Sequence, residues 1–386
     1  MKVKINKGKA KGFVKAPPSK SMAHRLLICA GLSEKECVVH GISESEDVLA
    51  TLDCLTTIGV KWQRKEDTIT VQGVDITKIS AESILNCRES GLSGSERLME
   101  SPMGIYENLC KEKGMIFSKD KTTLMVKGPL KPGNFKMAGN VSSQFISGLL
   151  FVLPLLSKDS TLTITPPIES RSYIDMTMAA LAQFGVETVW QDENTIYIKG
   201  NQKYSADEAY VEGDYSNAAF FEALNVLGGN VQIGNLSPSS IQGDRVYSKM
   251  FEQLKEGTPI LNISGCPDLG PILFAVSAAV NGGVFSGTSR LKIKESDRGQ
   301  VMAEELKKFG VSASLYDDEI IIYPTKFERP KEALYGHNDH RIVMSEAVLL
   351  TLTGGIIDGA EAVTKSFPDF FEKLASLGIE VEKIED

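Results

Sequence analysis

Apolar positions along the chain alternate between two periods. Segments such as SMAHRLLICAGL, VSSQFISGLLFVLPLL and DRGQVMAEELKKF carry their apolar residues at helical spacing. A helical segment of this kind then ends near a glycine, followed by two alternating Val/Ile/Thr runs around a polar turn. The pattern appears in IGVKWQRKEDTITVQG (58–73), KGMIFSKDKTTLMVKG (113–128), FGVETVWQDENTIYIKG (184–200) and FGVSASLYDDEIIIYP (309–324). The glycine fits the residue just past a helix end, and the alternation predicts a strand hairpin. Truncated versions are LKEGTPILNIS (254–264) and SLGIEVEKIE (376–385).

The marker glycines stand at 59, 114, 185, 257, 310 and 378, so the steps between them are 55, 71, 72, 53 and 68 residues. A period of about 70 residues is too long for a solenoid unit. It predicts six subdomains of sheet plus helices, three to each of two domains. Two steps are short. The step to 310 loses a hairpin strand near TPILNIS, and the step to 114 contains the polar stretch CRESGLSGSERLMESP (87–102), where residues 91–95 mark an apparent deletion.

Composition narrows the class. The 386 residues are 42% hydrophobic and 24% charged, which is globular, and the length fits two domains. No apolar run is long enough to span a bilayer, and the start, MKVKINKGKAKGF, lacks a signal-peptide core. Cysteines 29, 37, 54, 87, 110 and 266 are scattered without a CxxC pair, which predicts reduced thiols and a cytoplasmic protein. A net charge of −8 argues against a nucleic-acid or anionic-membrane surface. Any bound anion must be held by local clusters.

Such clusters occur where they are electrostatically out of place. A helix N-terminus carries partial positive charge and disfavours basic side chains. Yet PPSKSMAHR puts Lys20 and Ser21 at a helix entry and Arg25 a turn later. KIKESDRG puts Lys294 before a helix and Arg298 in its first turn. GHNDHRIVM puts His340 and Arg341 after an Asn338 cap, and VTKSFPDFF puts Lys365 ahead of a proline-started helix. GNVSSQF offers Ser142, Ser143 and Gln144 at a fifth start. Cations beside helix N-termini are reasonable where an anion lies between them. The set comes from both halves, so it predicts a phosphate or carboxylate ligand in a cleft between domains. Nucleotide-type phosphate loops and a strand-linked GxGxxG are absent, and His337 with His340 lacks a third metal ligand. Asp268, in CPDLGP, reads equally as a helix cap or a base, and Glu295 as charge neutralisation or an acid.

PPSKSMAHR, GNVSSQF, SRSYID, CPDLGP, RLKIKESDR, NDHR and TKSFPDF, in this order from about residue 10 to 372, closely resemble 5-enolpyruvylshikimate-3-phosphate synthases. The resemblance implies the α/β (α+β) enolpyruvyl transferase fold of two domains, each with three βαβαββ-type units. The N-terminal domain would be 19–213 and the C-terminal domain 1–18 plus 214–386, with a double crossover near 18–20 and 212–215. It implies transfer of the enolpyruvyl group of phosphoenolpyruvate to the 5-hydroxyl of shikimate 3-phosphate by a monomer without metal or organic cofactor. Lys20, Ser21, Arg25, Ser142, Ser143, Gln144, Ser170, Tyr173, Asp268 and Lys294 would bind shikimate 3-phosphate. Lys20, Gly91, Gln144, Arg298, Arg341 and Lys365 would hold phosphoenolpyruvate. Asp268 would take the hydroxyl proton; Glu295, shared with Lys365, would protonate the methylene carbon. The related UDP-N-acetylglucosamine enolpyruvyl transferases rely on a loop cysteine with no counterpart here.

The sequence departs from the family at one place. Ser90–Gly91 is followed by LSGS and then RLMESP, where the family has an arginine-bearing helix and a strand before RLMERP. Ser101 stands where that second arginine is expected. The alternative readings are a UDP-N-acetylglucosamine enolpyruvyl transferase, or a shikimate 3-phosphate-binding homologue whose turnover is impaired by the apparent deletion after Gly91.

Overall fold

Four of the alternating pairs form the predicted antiparallel hairpins: β4 (Lys61–Lys65) with β5 (Thr68–Gln72), β6 (Ile116–Lys119) with β7 (Leu124–Lys127), β10 (Thr188–Trp190) with β11 (Thr195–Ile198), and β16 (Ala313–Leu315) with β17 (Glu319–Ile322). The computed structural model describes residues 1–79, 103–120 and 123–384. By its contacts the chain divides into a terminal unit, residues 1–17 plus 212–386, and a central unit, residues 18–211.

The two truncated patterns resolve differently. β20 (Val381–Ile384) pairs antiparallel with β1 (Lys2–Ile5), so the N-terminal strand completes the last hairpin. Val3 and Ile5 of β1 are fully buried while Lys2 and Lys4 point away, the alternation of a half-buried strand. β14 (Ile260–Asn262) instead pairs in parallel with β15 (Gly283–Ser286) and starts the following repeat.

Four sheets share one plan: a parallel edge pair, then an antiparallel hairpin. Their orders are β12 (Glu208–Tyr210)–β3 (Glu36–His40)–β5–β4, β8 (Asn134–Ala138)–β9 (Ser160–Thr165)–β11–β10, β14–β15–β17–β16, and β18 (Leu334–Tyr335)–β19 (Gly355–Asp358)–β1–β20. A first helix leads into the second strand of each parallel pair: α1 (Lys20–Gly31), α4 (Ser143–Val152), α8 (Gly270–Ala279) and α10 (His340–Thr353). A second helix leads into each hairpin: α2 (Glu46–Thr57), α5 (Arg171–Gln183), α9 (Arg298–Lys308) and α11 (Phe370–Ser376).

Two repeats are partial. In the terminal unit, β2 (Lys11–Lys15) pairs in parallel with β13 (Asn230–Gly234), and the helices α6 (Tyr215–Val226) and α7 (Tyr247–Glu256) follow without a hairpin. In the central unit the second repeat has, among the described residues, only α3 (Gly104–Lys113) and the β6–β7 hairpin. The predicted six-fold period is thus present, with four repeats complete.

Burial follows composition. α8 is apolar almost all round and α10 is buried almost throughout although it carries His340, Arg341, Ser345 and Glu346; together with α6 they pack as the helical centre of the terminal unit. No described helix is long and apolar enough to cross a membrane. Where the chain enters and leaves the terminal unit, the Asp214 amide donates to Pro17 O at 2.8 Å and Asn235 Nδ2 donates to Ala16 O at 3.0 Å. Gly213 sits so close that a Cβ there would lie 1.8 Å from the Asn235 carbonyl. Gly213→Ala should therefore lower unfolding stability by about 1–3 kcal/mol or more. Gly257→Ala, in extended backbone at φ 175° with nothing within 4 Å of the new methyl, should cost under ~1 kcal/mol in the same denaturant titration.

Candidate active site

The buried helices α6, α8 and α10 bring their N-terminal ends to one place in the terminal unit. Arg341, in the first turn of α10, donates through Nη1 to Ser216 Oγ on α6 at 2.5 Å and through Nη2 to Asp268 Oδ2 at 3.1 Å. Asp268 lies in the short turn Pro267–Leu269 ahead of α8; the cap positions are Cys266 for the turn and Leu269 for α8. It is ringed by three cations, with Lys294 Nζ 3.1 Å and Arg298 Nη1 2.8 Å from Oδ1. Burial resists its ionisation, yet Arg341, Lys294 and Arg298 together hold its carboxyl well below the usual carboxylate range.

Arg298 is the centre of the cluster and has no solvent exposure. Besides Asp268, its Nε donates to Asp339 Oδ2 at 2.8 Å, and its Nη2 donates to Glu295 Oε2 at 2.6 Å and Asp339 Oδ1 at 3.2 Å. Burial would discharge the guanidinium, but Asp339, Glu295 and Asp268 raise its pKa above the ordinary arginine value. Four of its five N–H donors are thus engaged, leaving one Nη1 proton for any further anion. Asp339 also accepts from Ser296 Oγ at 2.9 Å and from the Arg341 amide at 3.0 Å, which makes it the cap of α10. The cap is therefore Asp339, one residue beyond the Asn338 expected from sequence; Asn338 has φ 53°, and its carbonyl accepts from Lys365 Nζ at 2.9 Å.

A further acid completes the cluster. Asp244 is buried, and its carboxyl is pushed up to about 7 by burial and then by the Asp268 charge, against the pull of Arg341. Lys294, Arg298 and Arg341 therefore face the ionised Asp268, with Glu295 and Asp339 bracing Arg298, while Lys365 is held at the Asn338 carbonyl and Asp244 titrates near neutral pH. A phosphate or carboxylate meeting this many cations needs little further reorganisation.

The central unit has its own set. Ser19 caps α1, and Lys20 Nζ donates to Asp47 Oδ2 at 2.7 Å. Arg25 is fixed by three acceptors: Ser21 O at 2.6 Å, Thr177 Oγ1 at 2.9 Å and Tyr173 O at 3.0 Å. Burial pushes the Arg25 guanidinium down to about 10, so it stays charged at neutral pH. Tyr173 presents its ring 5.9 Å from that guanidinium, and Ser170, in the left-handed region at φ 53°, starts the same helix, α5. Ser142 caps α4 by accepting from the Gln144 amide at 3.3 Å, and α4 packs against α5. His24 is buried: burial lowers it to about 4, and Nδ1 meets Thr51 Oγ1 at 2.6 Å.

Sequence reasoning missed Asp339, Ser216, Asp244, Asp47 and Thr177. Asp339 and Asp47 looked like ordinary acids at helix starts, because their cationic partners are 41 and 27 residues away. Asp244 follows a glycine in IQGD, the one local hint of a constrained turn. Gly91, Ser101 and the apparent deletion lie outside the described residues.

A family model described as EPSP synthase (3-phosphoshikimate 1-carboxyvinyltransferase) matches residues 5–108 and again 91–374. The 3-phosphoshikimate 1-carboxyvinyltransferase of Clostridium perfringens is 37% identical, covering 98% of both chains, and that of Clostridium acetobutylicum is 37% identical over 99% and 98%. The first alignment runs over 418 positions against the 386 residues here, so at least 32 positions fall opposite a gap in this chain. The two family-model matches overlap over residues 91–108, which takes in part of the stretch where the sequence departs from its family. An EPSP synthase structure from Acinetobacter baumannii superposes with TM-score 0.78 at 25% identity, covering 99% of this chain and 100% of that one. The enolpyruvyl transferase NikO of Streptomyces tendae has the same fold, with TM-score 0.78 at 12% identity over 99% and 98%.

The cluster predicts a specific pH signature. Arg298 helps depress the folded pKa of Asp268, so its contribution is fully present above the unfolded aspartate value near 4 and disappears as pH falls through the depressed folded value. Arg298→Leu should destabilise the protein by about 3–5 kcal/mol at pH 7, with the difference shrinking toward pH 2. Urea titrations at both pH values check this; a deficit independent of pH would remove the electrostatic explanation.

Proposed function

The chain belongs to the EPSP synthase family, and we propose that it transfers the enolpyruvyl group of phosphoenolpyruvate to the 5-hydroxyl of shikimate 3-phosphate, releasing phosphate. The observation that carries this reading is the Asp268 carboxylate held against Arg298, Arg341 and Lys294. A base and an anion site in direct contact suit a reaction that takes a hydroxyl proton and expels phosphate.

In this reading the central unit's Lys20, Ser21, Arg25, Ser142, Ser143, Gln144, Ser170 and Tyr173 hold shikimate 3-phosphate. Arg341, Lys365 and the remaining Arg298 proton hold the carboxylate and phosphate of phosphoenolpyruvate. Asp268 by itself is a weak base, because Arg341, Lys294 and Arg298 stabilise its charge. An incoming anion shares those cations and raises the basicity of Asp268 where the proton is to be taken. The hydroxyl oxygen bonds to C2 of phosphoenolpyruvate, its proton passes to Asp268, and Glu295, shared with Lys365, protonates the methylene carbon. The tetrahedral intermediate then loses phosphate as the new methyl group gives up a proton, restoring the double bond. Fixed cations favour both steps because they already point where charge develops. The same reading makes the protein a cytoplasmic monomer that works without a cofactor.

A phosphate-release assay with both substrates tests the reading. Asp268→Asn should lower kcat by roughly 10²–10⁴-fold while calorimetry still detects shikimate 3-phosphate. Arg341→Ala should raise KM for phosphoenolpyruvate by about 10- to 100-fold, as expected for one charge-assisted contact. The gap of at least 32 positions favours one second reading, a homologue that binds without turnover. Binding of shikimate 3-phosphate with no phosphate release by the unaltered chain would establish that reading instead.

A further inference from the structure

Glu305 lies on α9, outside every motif discussed above, and is buried. Four groups converge on its carboxylate. Lys308 Nζ donates to Oε2 at 3.0 Å, the Tyr335 amide donates to Oε2 at 3.1 Å, and His337 Nε2 donates to Oε1 at 3.0 Å. The fourth is Glu346, on the buried helix α10. Neither oxygen of Glu346 finds a donor among the described residues, and burial followed by the Glu305 charge raises its carboxyl well above the usual range. Glu305 thus accepts from three donors, and its charge together with burial holds the neighbouring Glu346 toward its neutral form.

Two of those donors bracket an unusual turn. His337 and Asn338 both sit in the left-handed region, at φ 47° and 53°. Consecutive non-glycine residues in that region are unfavourable unless the surroundings hold them there. Gly336 before them is packed so tightly that a Cβ would lie 2.5 Å from Val343 Cγ2 and 2.7 Å from Gly359 O. Beyond the turn, the Asn338 carbonyl receives Lys365, and Asp339 receives Arg298 and the Arg341 amide. The cations assigned to phosphoenolpyruvate are thus oriented by a strained segment whose N-terminal side is tied to Glu305.

We propose that Glu305 is a positioning residue for those cations: through His337 and the Tyr335 amide it holds the Gly336–Asp339 turn that orients Lys365, Arg298 and Arg341. Glu305 touches no reacting group, so its removal acts through the turn. The inference rests on the enolpyruvyl-transfer reading for its kinetic consequence, but the turn itself can be observed without the reaction.

The test is kinetics on Glu305→Ala, Glu305→Gln and His337→Ala, with amide hydrogen exchange across residues 335–341. Glu305→Ala should raise KM for phosphoenolpyruvate by about 10- to 100-fold, as misplacement of binding groups does, and leave KM for shikimate 3-phosphate within about twofold. Glu305→Gln keeps an acceptor and should recover most of the loss. Glu305 is buried, so its alanine variant risks unfolding; His337 is partly exposed, and His337→Ala should give a smaller rise of the same selectivity. Exchange of the turn amides should quicken in both alanine variants. An equal rise in both KM values, or unchanged exchange in the turn, would overturn the proposal. If the unaltered chain releases no phosphate, the enolpyruvyl-transfer reading fails, and the exchange data alone decide whether Glu305 holds the turn.

Discussion

Arg298 is a guanidinium without access to water, and the terminal unit is built to keep it charged. Burying an ion costs several kcal/mol even after relaxation, so it persists only where partners satisfy its charge and its protons. Asp339, Asp268 and Glu295 do so from three segments: the cap of α10, the turn before α8 and the loop leading into α9. Each of those acids is in turn fixed by other groups. Asp339 braces α10 through the Arg341 amide, and Asp268 draws in Arg341 and Lys294. The pair interactions are therefore one network, and a change at any member is felt by the rest.

The network explains why basic residues stand at helix starts, where the macrodipole disfavours them. At α10 the partial positive charge is met by Asp339 at the cap, and Arg341 turns its side chain to Ser216 and Asp268. In the central unit the solution is lighter. Lys20 is paired with Asp47, and Arg25 is held by two carbonyls and a hydroxyl. A cation satisfied by neutral acceptors keeps more of its field for a ligand than one already neutralised by carboxylates. The two sets thus differ in kind: one is an ion network centred on a buried guanidinium, the other an ion pair beside a guanidinium held by neutral acceptors.

Much of this was legible in the chain. The hairpins, their glycines, the repeat length and the cations at helix starts are local patterns, set within a few residues of each other. What the sequence did not reveal is long-range. Nothing in SESEDVL announces that Asp47 meets Lys20, and nothing near YSNAAFF announces that Ser216 meets Arg341, 125 residues away. The cap at Asp339 was misjudged by one residue because Asn and Asp are both good caps, and only the left-handed backbone at Asn338 separates them. The hairpin of β20 looked truncated because its second strand is β1, at the other end of the chain.

That last pairing bears on the order in which the molecule can be made. β1 leaves the ribosome long before its neighbours β19 and β20, which lie about 350 residues further along the chain. At translation rates of ~5–20 residues per second, β1 waits on the order of 20–75 s for partners. During that interval the whole of the central unit is synthesised and can fold on contacts of its own, whereas β1, with Val3 and Ile5, is an unpaired apolar strand. The two lysines that alternate with them, Lys2 and Lys4, keep the waiting strand soluble and resistant to pairing with its neighbours on a polysome.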